Sequence, residues 1–127
     1  MAGQGRLVTA EPQLFVADIL VSCDYYAEKL GFEIAFVYGD PPFYAQAFRD
    51  EVRLNFRHTD RPVFDGRIRS EEKDLLSATI VVEDADALFQ EYQATGAEFH
   101  HAIRTEDWGA RTFIVKDPDG NLIAFAS

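Results

Sequence analysis

Three histidines and a single cysteine are the side chains in this 127-residue chain best suited to metal binding or nucleophilic chemistry. His58 ends a predicted strand, and His100 and His101 are expected to point to opposite faces of an extended segment. No two histidines stand at helical spacing, and the sequence has neither a glycine-rich phosphate loop nor a nucleophile elbow. Cys23 cannot form a disulfide within the chain, and Asp24 beside it does not favour a lowered thiol pKa.

Glu11 is the one further side chain that the sequence offers as a general base. It lies near the start of a predicted edge strand, where a carboxylate is more often simply solvated. Because no other catalytic arrangement stands out, a protein that binds a small molecule without changing it is the simpler prediction.

The overall charge limits the choice of partners. The chain has 22 acidic and 12 basic residues and a formal net charge of -10, and such a field repels phosphate backbones and attracts cations. We therefore expect no nucleic-acid partner. No stretch approaches the roughly 20 apolar residues of a membrane span, and the first residues lack the pattern of a signal peptide. The expected location is the cytoplasm, without membrane association.

Hydrophobic periodicity and turn residues predict the same order of elements twice along the chain. A strand at 13–17 precedes a helix at about 22–30, and a strand at 78–82 precedes a helix at 84–94. Three further strands follow each helix, at 33–38, 43–49 and 52–58 in the first half and at 98–103, 111–116 and 122–127 in the second. Each half is therefore a βαβββ module.

Matching residues at nearly equal spacing indicate that the chain is internally duplicated. The pairs are Val16 with Val82, Asp18 with Asp84, Tyr26 with Tyr92, and Gly31 with Gly96. The predicted fold is α+β, a single domain whose two modules form a cupped mixed sheet with the helices on its outer face. The modules span about 11–58 and 75–127, and the polar segment 59–74 is expected to be a linker and flexible loop.

Alternation along 52–57 assigns the faces of one strand. One side is apolar and suited to packing under a helix: Val52, Leu54 and Phe56. The other side is polar and would line the cup: Arg53, Asn55 and Arg57. The two arginines there favour an anionic ligand, whereas the net negative charge of the chain favours a cationic one, so both ligand charges stay open.

Two stretches near the ends of the chain resemble a known family. Residues 15–19 (FVADI) and 25–32 (YYAEKLGF) resemble the strand and helix that open members of the glyoxalase/bleomycin resistance protein/dioxygenase superfamily, the vicinal oxygen chelate proteins. Residues 107–111 (DWGAR) and 116–122 (KDPDGNL) are similar to the end of bleomycin-resistance proteins in particular. The Asp-Pro-Asp-Gly turn marks only the superfamily, whereas Trp-Gly-x-Arg points to the drug-binding branch, which uses no metal.

The resemblance also implies where a metal would bind. Metal-using members hold a divalent cation with His, Glu or Gln from both modules. In this chain those positions fall on Glu11 or its neighbour Gln13, and on Asn55, Ser77 and Ala124. Only Glu11 is a strong donor and Ala124 has no donor atom, so we expect no metal and no other cofactor.

Bleomycin-resistance proteins, as the resemblance implies, are homodimers that hold a cationic drug between aromatic rings in grooves at the dimer interface. Trp108 in a loop offers a flat stacking surface, Tyr44 falls where the resistance proteins carry an aromatic residue, and Phe43 lies beside it. Arg111 is expected to shape the groove through an ion pair with Asp107. The predicted ligand-binding residues are thus Trp108, Tyr44, Phe43, Asn55, Asp107 and Arg111.

Other aromatic residues are better explained by packing in the core; these are Phe32, Phe36, Phe89, Phe99 and Phe125. Pro12 stands where family members exchange an N-terminal arm between protomers, so residues 6–9 are expected to add a strand to a partner, in a domain-swapped homodimer.

Three functions stay open at this point. The first is a binding protein of the antibiotic-resistance type for a small aromatic, cationic ligand. The second is a metal-dependent lyase, isomerase or dioxygenase of the same superfamily. The third is a scaffold that binds a metabolite or another protein.

Overall fold

The computed structural model describes residues 5–127. Residues 1–4, which belong to the N-terminal stretch without a signal-peptide pattern, lie outside the described residues. Its elements are β1 (Gln13–Val16), α1 (Ile19–Glu28), β2 (Glu33–Tyr38), β3 (Tyr44–Arg49), β4 (Val52–His58), α2 (Gly66–Glu71), β5 (Leu76–Val81), α3 (Ala85–Thr95), β6 (Phe99–Thr105), β7 (Arg111–Lys116) and β8 (Leu122–Ala126). None of the helices within the described range is long and apolar enough to cross a membrane.

The eight strands form two four-stranded mixed sheets, one in each module. The first has the order β1-β4-β3-β2 and the second the order β5-β8-β7-β6. In each sheet the first strand of the module pairs in parallel with the last, and the remaining pairs are antiparallel. The α+β class and the repeated βαβββ order are therefore confirmed.

The two main helices begin at equivalent aspartates. The Asp18 carboxylate accepts hydrogen bonds from the backbone N–H groups of Leu20 and Val21, and the Asp84 carboxylate accepts one from that of Ala87. Each aspartate satisfies amide groups that a helix start leaves unpaired. Because Asp18 is itself the cap, α1 begins at Ile19, about one turn earlier than the predicted helix.

One apolar core lies between the helices and the two sheets and runs through both modules. Its largest fully buried side chains include Tyr26, Tyr92, Phe56, Phe113 and Phe125. The apolar face predicted for 52–57 is confirmed, since Leu54 and Phe56 are fully buried in this core.

The two modules are joined by polar contacts between residues of the first module and helix α3 of the second. Lys29 Nζ donates to the carbonyl oxygen of Thr95 at 3.1 Å, and Thr95 Oγ1 donates to the carbonyl oxygen of Lys29 at 2.6 Å. Arg49, at the end of β3, forms a two-pronged ion pair with Glu91 of α3, at 2.7 and 3.0 Å. These reciprocal contacts fix the two modules against each other.

The connection between the modules contains a helix that the sequence pattern did not predict. Segment 59–74 was expected to lack regular structure, but α2 forms within it, with the Asp65 carboxylate accepting from the Ile68 N–H at 2.9 Å. Arg69 Nη1 donates to the carbonyl oxygen of Gly120 at 2.7 Å, which attaches α2 to the second module. No residue of α2 is buried, so the helix has no apolar period for sequence analysis to detect.

Candidate ligand-binding face

The first sheet has one face free of helices, and we call it the open face. Cross-strand pairing places these side chains on it: Gln13, Phe15, Glu33, Phe36, Tyr38, Tyr44, Gln46, Phe48, Arg53, Asn55 and Arg57. The opposite face carries the buried residues Ala45, Ala47, Leu54 and Phe56. The sheet is thus packed on one side and available for a ligand on the other.

Glu11, just before β1, is held on the open face by two amide side chains. Asn55 Nδ2 and Gln46 Nε2 each donate to Glu11 Oε1, both at 3.2 Å. Gln46 Nε2 also donates to Asn55 Oδ1 at 2.9 Å, and Arg53 Nη1 donates to Gln46 Oε1 at 3.4 Å. The amides therefore form a continuous network that ends at a carboxylate.

Aromatic rings line the open face next to this network. Phe36 and Tyr44 stack with 6.2 Å between ring centroids and 22° between planes. Tyr44 Oη donates to Gln13 Oε1 at 2.9 Å, which orients the ring. Phe36 is 44% exposed, so its predicted place in the core is wrong.

A β-bulge explains the position of Phe36. The register of β2 against β3 shifts between Ile34 and Phe36, so that Ile34 pairs with Ala47 and Phe36 with Gln46. Ile34 packs against the core, whereas Phe36 faces the other way. Strict alternation would have placed both side chains on one face.

The β2–β3 turn presents two further rings. Tyr38 is 64% exposed and Phe43 44% exposed, and their rings meet edge to face with centroids 5.5 Å apart. Gly39 makes this contact possible, because it has a positive φ of 103° and a Cβ atom there would overlap Phe43 Cδ1. Of the predicted ligand-binding residues, Phe43 is therefore exposed, and Tyr44 is partly exposed.

Trp108 lies at the tip of the β6–β7 turn and is 77% exposed. The turn is closed by the Gly109 N–H, which donates to the carbonyl oxygen of Glu106 at 2.9 Å. Among the residues that the structure describes, Trp108 takes part in none of the aromatic pairs. It is carried by the second module, whereas Phe43 and Tyr44 belong to the first.

The ion pair predicted between Arg111 and Asp107 is wrong. Arg111 Nε donates to Asp86 Oδ2 at 3.1 Å, and Arg111 Nη1 donates to Thr105 Oγ1 at 3.0 Å. The hydrogen bond from Arg111 keeps the pKa of Asp86 below its ordinary value. Arg111 therefore ties β7 to the first turn of α3, and Asp107 stays exposed in the turn.

The second sheet carries a network of hydrogen bonds and ion pairs on the side away from the core. Thr112 Oγ1 donates to Glu106 Oε1 at 2.6 Å, and Arg104 Nε donates to the same oxygen at 2.8 Å. These two hydrogen bonds lower the pKa of Glu106, and the hydrogen bond from Thr112 contributes most to this shift. Arg104 also lies 3.6 Å from Asp74, which contacts His100 at 3.0 Å. Sequence analysis missed this network because its residues come from three separate segments of the sequence.

The two adjacent histidines do not follow the alternation expected of them. The pairing of β6 with β7 shifts register between Phe99 and His101, and the rings of His100 and His101 have centroids only 6.4 Å apart. His100 contacts Asp74, while His101 Nδ1 lies 2.9 Å from the carbonyl oxygen of Ala102.

The positions at which the superfamily places metal ligands do not suit a divalent cation here. Glu11 and Asn55 are hydrogen-bonded to each other, and Ser77 Oγ donates to Asn121 Oδ1 at 3.0 Å. Ala124 is buried in a small apolar cluster with Ile114. Within residues 5–127, no three His, Cys, Asp or Glu side chains are grouped so as to hold a metal ion. A single carboxylate among amides and apolar atoms is a poor donor set for a divalent ion.

A cavity lies away from the open face. It has a volume of about 880 Å³ and lies between the β3–β4 turn and α3, with Val52, Val82 and Leu88 among its walls. In the other module, the equivalent space is closed by the turn 117–121, where Asp119 Oδ1 accepts from the Ala17 N–H at 2.8 Å. The β3–β4 turn, residues 50–51, is shorter than the turn 117–121 and does not fill the corresponding space, which leaves this cavity open.

The fold defines a class of protein: two βαβββ modules, each with a four-stranded mixed sheet whose first and last strands pair in parallel. A sequence profile of the Glyoxalase/Bleomycin resistance protein/Dioxygenase superfamily matches residues 6–125. The chain belongs to this superfamily, as its end segments predicted.

Several relatives of this chain are bleomycin resistance proteins. Bleomycin resistance proteins of Geobacillus stearothermophilus and Staphylococcus aureus are 34% identical to this chain over 125 residues, which cover 90% of this chain and 92% of theirs. The crystal structure of the bleomycin-binding protein from bleomycin-producing Streptomyces verticillus, complexed with copper(II)-bleomycin, superposes with a TM-score of 0.75 at 27% identity and covers 96% of this chain and 97% of that one. A bleomycin-binding protein complexed with bleomycin has the same TM-score at 21% identity, with 95% and 98% covered.

Proposed function

We propose that this protein binds and sequesters a bleomycin-type compound, an aromatic and cationic small molecule, without transforming it. The observation that carries the proposal is the set of exposed rings on a chain whose relatives are bleomycin resistance proteins: Phe36, Tyr38, Phe43 and Trp108. Exposed aromatic surface is costly in water and is typical of a binding site.

A homodimer would bring the two groups of rings together. The open face and Trp108 lie on different modules, and neither alone encloses a ligand. In the proposed arrangement, the open face of one protomer and the β6–β7 turn of its partner form the two walls of a groove. Leu7 and Val8 in the N-terminal arm are almost fully exposed, which supports an arm that packs on a second copy.

Binding is proposed to require no metal ion held by the protein. The position equivalent to a family metal ligand in the second module is occupied by Ala124 in an apolar cluster. The open face offers rings, amides, two arginines and the Glu11 carboxylate, and such side chains stack on or hydrogen-bond to an organic ligand.

Isothermal titration calorimetry against bleomycin tests the proposal. We expect saturable binding to chelator-treated protein, with one ligand bound per chain. Light scattering should give twice the chain mass of 14.4 kDa at micromolar protein. Absence of heat with both metal-free and copper-loaded bleomycin would refute the function, whereas a monomeric mass with intact binding would refute only the shared groove.

Metal analysis of protein purified without chelator separates binding from catalysis. The proposal expects substoichiometric metal and unaltered ligand after prolonged incubation, as read by mass spectrometry. A stoichiometric transition metal whose removal abolishes binding, or a changed ligand mass, would favour the enzymatic alternative.

A further inference from the structure

The Glu11 carboxylate on the open face is fixed in position by hydrogen bonds. The carboxylate accepts hydrogen bonds from Asn55 and Gln46, and both are received by Oε1. Asn55 is only 9% exposed and belongs to the sheet, so its amide has little freedom to move. The Glu11 side chain is itself exposed, with its second oxygen, Oε2, unused in this network.

The stacked rings lie close to this carboxylate along the sheet. Gln46, which donates to Glu11, is paired across the strands with Phe36. Tyr44 lies two residues before Gln46 on the same face, and its hydroxyl group contacts Gln13, two residues after Glu11. The rings and the carboxylate are therefore neighbours on one surface.

This combination has a recognisable chemical preference. A fixed carboxylate attracts an ammonium group and accepts a charge-assisted hydrogen bond from it. The face of an aromatic ring also attracts a cation, and its area covers the apolar part of the ligand. A neutral polar ligand would gain only the stacking contribution.

We propose that Glu11 is the specificity-determining residue of the open face, and that it selects ligands in which an aromatic or apolar group is joined to a positively charged amine. The inference rests on the proposed function for the location of the ligand but not for its identity. It assigns the amine to the free oxygen of Glu11 and the apolar group to Phe36 and Tyr44.

The arginines on the same face are the main opposing charges. Arg53 is engaged with Gln46 and lies over the ring of Phe48, with 5.6 Å from its Cζ atom to the centroid. Arg57 is paired across the strands with Tyr44. If the arginines determined the ligand, an aromatic carboxylate would bind better than an aromatic amine.

A series of three small probes tests the assignment on the full chain: 2-phenylethylamine, the neutral 2-phenylethanol and the anionic phenylacetate. Binding is measured at millimolar probe by amide chemical-shift changes of ¹⁵N-labelled protein. We expect the amine to bind about tenfold more tightly than the alcohol, the size of one charge-assisted contact, with shifts at Tyr44, Gln46 and Asn55.

The variant Glu11→Gln keeps the shape and the accepting oxygen but removes the charge, and it should abolish the preference for the amine. The matched control is Glu28→Gln, on the exposed surface of α1, which removes the same charge from the chain and should leave the preference unchanged. Equal loss in both variants would mean that only net charge matters, which overturns the proposal.

The remaining outcomes separate the two proposals. Preference for phenylacetate, no response to the amine, or an unchanged preference in Glu11→Gln would each overturn the role of Glu11. Loss of amine preference in Glu11→Gln in a protein that does not bind bleomycin would support Glu11 and refute the proposed function. Equal bleomycin affinity in wild type and Glu11→Gln would leave the function standing and refute the assignment.

Discussion

Tyr26 and Asp117, from different modules, form a hydrogen bond in the interior of the protein. Tyr26 Oη donates to Asp117 Oδ2 at 3.0 Å, and the two residues are 0% and 1% exposed. The same carboxylate accepts from the backbone N–H groups of Asp119 and Asn121 and from Asn121 Nδ2. Burial raises the pKa of Asp117 above its ordinary value, although these donors oppose the shift.

The variant Tyr26→Phe should destabilise the protein by about 1–3 kcal/mol at neutral pH, because it leaves a buried carboxylate with one donor fewer. A hydrogen bond to the ionised form stabilises that form, so the cost should shrink as the pH falls toward the ordinary Asp value of 3.8. Urea unfolding of both proteins over this pH range measures the difference.

Tyr25→Phe is the control for Tyr26→Phe. Tyr25 Oη donates to the carbonyl oxygen of Lys116 at 2.8 Å, and a carbonyl oxygen does not titrate. Its loss should therefore be smaller and independent of pH over the same range. An equal cost of Tyr26→Phe at all pH values would contradict the role given to Asp117.

Asp117 also has a pH effect of its own. Because its folded pKa is raised, the folded state binds more protons than the unfolded state in the window between 3.8 and the folded value. Its contribution to stability is thus complete below 3.8 and is lost as the pH rises through the folded pKa.

The repeated order of elements could be predicted from the sequence because it depends on local signals. Asp18 and Asp84 cap helices through contacts with amides only two or three residues away. Tyr26 and Tyr92 match in sequence and are both buried. Such signals are complete within a short window of residues.

The details of the candidate site depend on distant or irregular structure and could not be predicted. Phe36 reaches the open face only through a bulge, and nothing in its neighbours announces one. Arg111 has an acidic residue four positions away in Asp107 but pairs with Asp86, 25 positions away. Local proximity suggested the wrong partner because tertiary packing decides which carboxylate is near.

The ion pair between Arg49 and Glu91 should stabilise the contact between the modules. Glu91→Gln is expected to cost up to about 1 kcal/mol at neutral pH, since both side chains are partly exposed and screened by solvent. Arg49 lowers the pKa of Glu91 from its ordinary value of 4.5, so this stability is present above 4.5 and is lost as the pH falls through the lowered value. Thermal unfolding against pH measures both effects.

Glu71→Gln is the matched variant for Glu91→Gln. Glu71 accepts from Arg67 Nε at 3.0 Å, but both residues lie within one exposed turn of α2. Its replacement should change stability by a few tenths of a kcal/mol at most. Equal effects of the two variants would show that the intermodule pair contributes no more than a surface pair.

Gly39→Ala should move the ring of Phe43 as well as straining the backbone. A residue with Cβ at positive φ costs roughly 1 kcal/mol or more, and the new atom would overlap Phe43 Cδ1. Gly109→Ala has a similar φ of 98° but no atom within 4 Å of the new Cβ. The difference in unfolding free energy between the two variants therefore reports the displacement of Phe43 together with the close approach of the new Cβ to the Pro41 carbonyl oxygen, at 2.9 Å. If Phe43 contacts the ligand, weaker ligand binding should accompany this difference only in Gly39→Ala.

Trp108→Ala should weaken ligand binding without weakening the fold. The ring is 77% exposed, so its removal takes little buried surface from the core, and the unfolding midpoint should stay unchanged. Loss of one stacking contact should reduce bleomycin affinity about tenfold, and Trp108→Phe should retain part of it. Because Trp108 is the sole tryptophan, quenching of the wild-type fluorescence reports contact at this ring directly. Unchanged affinity in Trp108→Ala would place the ligand away from the β6–β7 turn. It would also contradict the proposal that this turn forms the second wall of the groove.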